Sequence, residues 1–166
     1  MSTPAMPEAL QINSDDTPWV DAWMGVPGLR FQLLMADVEN AVFTVRIQFP
    51  AGIQLPPHHH TGAVHAWTMT GEWGYLEHPD ANSRPGSYLY EPPGTTHTLK
   101  VADHNTGPTD VVYAIYGAML VMGADGKVEA VLDAASHMRD WSQALRDEGK
   151  TVPKIIVGGQ AGVRQI

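Results

Sequence analysis

Cysteine is absent from the 166 residues. That excludes disulfides, thiolate metal sites and cysteine nucleophiles together, and it fits a reducing compartment, so a cytoplasmic location is expected. Any metal site must be built from histidine and carboxylate. Long apolar runs are missing too. No stretch reaches the roughly 18 residues that a membrane helix needs, and "MSTPAMPEAL" has neither a basic end nor an apolar block, so neither a transmembrane helix nor a secretory signal is expected. Positive charge is scarce, with 10 Lys and Arg against 18 Asp and Glu and a net charge of −8. An acidic surface repels phosphate backbones and anionic headgroups, which argues against nucleic acid and membrane partners.

Helical periodicity is nearly absent as well. Residues 1–28 carry Pro4, Pro7, Pro18 and Pro27 and read as an extended N-terminal arm. From Leu29 the chain turns to short apolar runs between turn residues. In "AVFTVRIQF", Phe43, Val45, Ile47 and Phe49 share one face and Thr44, Arg46 and Gln48 the other, the period of two of a half-buried strand. "LRFQLLMAD", "VHAWTMT", "WGYLE", "SYLYE", "HTLKV", "DVVYAIYGAMLVM" and "KVEAVLD" read as further strands, and Asp125-Gly126 is a hairpin signal. Only "ASHMRDWSQALRDEG" looks helical, with Met138, Trp141 and Leu145 on one stripe and Gly149 placed to end it. The fold class is therefore all-β, a barrel or jelly roll over 29–134, followed by one C-terminal helix and tail over 135–166. A barrel with an apolar arm suits a homo-oligomer.

What the chain does have is histidine, eight in all, and half of them fall in "QLPPHHHTGAVHAW". Alternate side chains on a strand share a face, so His58 and His60 point together and His59 points away. Two imidazoles on one strand can share one metal ion. A third, His97, opens a strand after the stiff turn Pro92-Pro93-Gly94. Three histidines from two strands leave coordination positions open, which marks a catalytic ion rather than a structural one. Neutral imidazoles accept iron, zinc, nickel, copper or cobalt.

The spacing carries a family resemblance. Gly52, five residues, His58-x-His60, four residues, His65, five residues, Gly71 resembles the first cupin motif. Gly86, five residues, Pro92-x-Gly94-x-x-His97 resembles the second. The common pattern has glutamate where this chain has His65. Within cupins, "HHHTGAVHAW", "GEWGYLEH", "GSYLYEPPGTTHTL" and "ADGKVEAVLD" are similar to the acetylacetone dioxygenase and 2,4'-dihydroxyacetophenone dioxygenase group. The resemblance implies the cupin double-stranded β-helix and a non-haem iron(II) dioxygenase cleaving a carbon–carbon bond with O2. It implies His58, His60 and His97 as ligands and Glu91, six residues before His97, as the carboxylate behind them. Members that cleave acetylacetone carry arginine where this chain has Leu76, which points away from a small diketone.

The expected reaction is thus cleavage of a β-dicarbonyl or an α-hydroxy aryl ketone, with a divalent ion, Fe(II) first and Zn or Ni in a purified sample. His65 shares a face with Trp67 and Met69, and it is a candidate fourth ligand, substrate-side base or packed barrel histidine if that face is the core. The same alternation turns Glu77 inward with Trp73 and Tyr75. Trp67, Met69, Tyr75, Tyr88, Tyr90, Tyr113 and Tyr116 are expected mostly in the core, some lining an aromatic pocket. His78 and His104 read as solvated, and His137 as structural. Two other readings stand beside the dioxygenase: a cupin isomerase or hydrolase that uses its metal without oxygen, and a zinc-binding regulatory cupin.

Overall fold

The computed structural model describes residues 9–159; the outer ends of the expected arm and tail, 1–8 and 160–166, lie outside the described residues. The described chain is built on strands. They are β1 (Arg30–Asp37), β2 (Val42–Phe49), β3 (His58–His60), β4 (Val64–Thr70), β5 (Trp73–Tyr75), β6 (Tyr88–Glu91), β7 (Thr96–His97), β8 (Leu99–Val101), β9 (Thr109–Tyr116), β10 (Met119–Met122), β11 (Val128–Leu132) and β12 (Ile156–Gly158). One α-helix, α1 (Ala134–Asp147), follows β11. The larger sheet has the order β12-β1-β2-β9-β4-β6; a second runs β11-β10-β3-β7, and β5 pairs with β8. This is the expected cupin architecture with its C-terminal helix.

Alternation decides which side chains meet inside. On β2, Phe43, Val45 and Phe49 are buried, while Arg46 and Gln48 on the other face bind the carboxylate of Asp110 on β9. The core is completed by Phe31, Trp73 and Trp141, the last supplied by α1. The run "DVVYAIYGAMLVM" is two strands and not one. Gly117 breaks it, so β9 stays in the large sheet and β10 crosses to pair with β3. "HTLKV" is likewise shared between β7 and β8.

The segment before β1 contains two short 3-10 turns, Ser14–Asp16 and Trp23–Gly25. Val20 pairs with Phe31 through backbone hydrogen bonds, and Trp23 stacks on the Phe31 ring at 4.3 Å. Lys150 ties the segment to the far end of α1 by donating to the Trp19 carbonyl (2.6 Å) and Asp21 (2.9 Å). No helix of the described residues is long and apolar enough to cross a membrane.

Candidate metal centre

The histidine run becomes a site because β3 lies between β10 and β7. His58 is the cross-strand partner of His97. The turn before β7 is clamped onto β3 from both sides: Gly94 N–H donates to the His60 carbonyl (2.8 Å), and His60 N–H donates to the Thr95 carbonyl (2.9 Å). Gly94 has φ +89°, a conformation that a side chain disfavours, so the residue that turns the chain towards His97 is glycine for a steric reason. His58 and His60 are buried on the inner face, whereas His59 points outward and its Nδ1 meets Thr96 Oγ1 at 2.8 Å.

The three inner rings converge. Their centroids are 5.1 Å apart for His58 and His60, 4.7 Å for His58 and His97, and 5.3 Å for His60 and His97. One nitrogen from each lies within 4.8 Å of the other two. His58 Nδ1 donates to the Pro56 carbonyl (3.1 Å), which fixes its tautomer and leaves Nε2 as the donor for an ion. Tyr75 stacks on His97 with ring centroids at 3.8 Å. Glu91 ends β6 beneath the cluster. Its Oε2 lies 3.3 Å from His97 Nε2 and 3.6 Å from His60 Nε2, and its Oε1 accepts a hydrogen bond from the Tyr75 hydroxyl.

Burial sets the protonation states. It lowers the pKa of His58, takes His60 down to about 3 and His97 to about 4, and raises Glu91 to about 7. Neighbouring imidazoles push His60 and His97 the same way. The rings are therefore neutral and ready to coordinate. Buried polar atoms without a partner are costly, and several gather here: His60 Nδ1, His97 Nε2, Glu91 Oε2 and the Tyr113 hydroxyl. A divalent cation among the three imidazoles relieves that cost, so the residues fit a metal ion, whose identity the donor set leaves open. A cavity of about 320 Å³ borders the cluster, touching His58, His60, Glu91, Tyr75 and Tyr113, and its remaining wall is largely apolar.

Other expected residues lie elsewhere. His65 is not in the cluster. On β4 the buried residues are Val64, Ala66 and Thr68, so the face of His65, Trp67 and Met69 is the outer one, opposite to the expected inward phase. There His65 Nδ1 meets the Tyr88 hydroxyl at 2.7 Å. Tyr88, Tyr90 and Tyr116 are exposed around the half-buried His65, and of the five tyrosines only Tyr75 and Tyr113 are buried. Glu77 is also exposed and accepts from Thr98 N–H (2.9 Å), because β5 ends at Tyr75 and its alternation does not extend to 77. Sequence reasoning missed that Tyr75 grips Glu91 and that His137 reaches the cavity. The first had a faint signal, since Tyr75 shares the face of the core residue Trp73.

Comparison with known proteins agrees with this fold. The family described as the ChrR cupin-like domain matches residues 7–110. A cupin-like protein of unknown function from Ralstonia eutropha is 28% identical, with a TM-score of 0.88 over 98% of this chain and 100% of that one. An RmlC-like cupin from the same organism is 24% identical, with a TM-score of 0.82 over 90% and 94%. An acetylacetone dioxygenase from Acinetobacter johnsonii is 19% identical, with a TM-score of 0.69 over 87% and 97%, a likeness of fold. Among curated proteins none matches.

Proposed function

The chain belongs to the family of ChrR cupin-like domains, and from that membership and the centre just described we propose that it is a metal-dependent dioxygenase cleaving a carbon–carbon bond of a small ketone. The observation that carries this reading is the border between three buried imidazoles and a largely apolar cavity of about 320 Å³. That is the small end of the ~300–1,000 Å³ range of ligand pockets, suited to one ring and a short side chain. Iron(II), when bound, supplies a Lewis acid and the electrons for oxygen chemistry.

The chain's own residues supply orientation and dryness. Three neutral ligands leave a 2+ charge uncompensated, so the site favours an anionic chelate such as the enolate of an α-hydroxy ketone. Glu91 lies beside the Nε2 atoms of His60 and His97, and Tyr75, which donates to Glu91, stacks on His97, so the two orient the rings. The unpartnered Tyr113 hydroxyl is placed to donate to a ligand oxygen. The apolar wall favours an aryl ketone over a small diketone; Leu76 is exposed and does not line the cavity. The reaction balances without a further reductant: ArCO–CH2OH and O2 give ArCOOH and HCOOH, with the O–O bond and the bond between the oxygenated carbons both broken.

Oxygen uptake by the iron(II)-loaded protein over a panel of α-hydroxy aryl ketones and β-dicarbonyls tests this. Uptake matched by two acids from an α-hydroxy aryl ketone, or by one acid and one α-keto aldehyde from a β-dicarbonyl, is the expected result. Turnover of a panel member without oxygen would move the protein to the isomerase or hydrolase reading. The family match gives a reason to keep the regulatory zinc cupin in view, and zinc-loaded protein that binds no ketone at all would favour it.

A further inference from the structure

One wall of the cavity is a loop and not a strand. Trp23, Met24 and Val26 line it from the segment between Val20, which pairs with Phe31, and Leu29, which leads into β1. Met24 lines the cavity and is also 60% exposed, so at this residue one side chain stands between the cavity and solvent. A second cavity, of about 540 Å³, lies on the other side of the same loop. Trp23, Met24 and Leu132 border both. Side chains in a close-packed interior have no room to shift. Trp23 and Met24 have space before and behind them.

The backbone of this loop is strained. Ala22 (φ 51°, ψ 45°) and Met24 (φ 54°, ψ 28°) are left-handed, a region that a Cβ makes costly, and Gly28 at the far end is left-handed too, at φ 79°. Such strain persists only where the surroundings hold it. Inside, the Trp23 ring stacks on Phe31. Outside, the hold is electrostatic. Asp21 accepts from Arg30 (2.7 Å) and Lys150 (2.9 Å), its N–H donates to Glu148 Oε1 (2.9 Å), and Lys150 also meets Glu148 (2.6 Å). These contacts fasten the start of the loop to the end of α1. The side chains of Asp21, Arg30 and Lys150 are 34–56% exposed, so the fastening is weak and is screened by salt.

We propose that residues 21–28 are a lid over the cavity. Ala22 and Gly28 are its hinges, and Asp21, Lys150 and Glu148 are its latch. On opening, Trp23 and Met24 withdraw into the second cavity, the left-handed residues relax, and a ligand passes between Met24 and Leu132 towards the metal centre. Closing returns Trp23 to Phe31 and excludes water from the apolar wall. The lid goes beyond the ketone reading: it rests on the cavity being the ligand pocket of the metal centre, and on no particular substrate.

Amide hydrogen exchange in the metal-free protein reads the lid without turnover. Trp23 N–H donates to the Leu29 carbonyl across the lid (2.8 Å) and is expected to exchange faster than the amides of β2. Lys150→Met keeps the stem and removes the charge, so exchange at Trp23 should rise roughly 3–10-fold while the β2 amides stay as they were. Ala22→Gly removes the left-handed penalty from the closed state and should slow exchange at Trp23. Ligand entry gives a second readout. Benzohydroxamate, an aryl chelator, is mixed with cobalt(II)-loaded protein and followed by the visible spectrum of the ion. Lys150→Met should speed association and dissociation together and keep affinity within about twofold, as a gate requires. More salt should speed dissociation from the wild type and not from Lys150→Met. Trp23 exchanging only together with the β2 amides, or exchange and rates indifferent to both variants, overturns the lid and leaves the ketone reading standing. A change of affinity through dissociation alone marks a binding contact and also overturns the lid. Exchange as expected, with no binding of the hydroxamate at any concentration, overturns the ketone reading and not the lid.

Discussion

His58 and His97 face each other across β3 and β7, so an ion shared with His60 crosslinks two strands that are already hydrogen-bonded. Removing one ligand therefore costs the ion and not the barrel. His97→Ala is expected to lose metal by more than the roughly 10–100-fold that loss of a supporting residue costs, with the circular dichroism of a folded β protein retained. His59→Ala, on the outer face, should change affinity by less than twofold; equal losses in the two would refute the strand phase. Acid has a definite sign here. The unfolded imidazoles take up protons near 6.5, whereas His60 and His97 hold out to about 3 and 4, so stability is full above about 6.5 and falls as the pH drops towards 4. Glu91 works the other way. Its pKa of about 7 in the fold, against 4.5, makes its contribution full below 4.5 and lost as the pH rises to about 7. The two oppose each other between 4.5 and 6.5, so urea unfolding of metal-free protein should show a shallow decline there and a steep one below 4.5. The pairing of His58 with His60 was legible because one period of two settles it. The side His65 faces was not: alternation separates two faces but does not say which one is inside, and here three-residue β3 and seven-residue β4 answer differently for their large side chains.

Strands and helix were legible where periodicity and punctuation agreed. On β2 all three fully buried positions belong to the apolar set, and α1 buries Trp141 and Leu145 and ends with Gly149 at φ +70°. Connections were less legible. Gly117 marks a break in 110–122 but does not say that β10 leaves the sheet of β9; the partners that draw it off are β3 on one side and β11 on the other. β12 escaped notice because three residues show no period, and only its parallel pairing with β1 makes it a strand. The start of α1 is held by a reciprocal cap: Asp133 accepts from Ser136 N–H (2.7 Å), and Ser136 Oγ accepts from Asp133 N–H (2.7 Å). Asp133→Ala removes the first of these bonds and should lower stability by about 1 kcal/mol, read from urea unfolding at constant slope. Since α1 carries His137 to the cavity, the same variant should loosen the far end of the pocket while metal affinity holds.

At the scale of the whole molecule, the aromatic residues divide between two surfaces of one sheet. The inner surface builds the cavity. The outer one, across β9, β4 and β6, gathers Trp67, Met69, Tyr88, Tyr90 and Tyr116, each 44–55% exposed, around His65, whose ring lies 5.3–6.3 Å from those of the four aromatic residues. A contiguous apolar patch is uncommon on a monomer, and β6, paired with β4 on one side only among the described residues, adds an open strand edge beside it. A chain of net charge −8 repels its copies at long range, so a stable self-association must rely on a neutral patch of this kind. We expect a second copy to cover this face. Light scattering should then give a multiple of 18.0 kDa for the native chain, and Trp67→Glu, which plants a charge in the patch without touching the inner face, should return it to 18.0 kDa with metal content unchanged. A native mass of 18.0 kDa at micromolar concentration would leave the outer aromatic face uncovered and the expectation refuted.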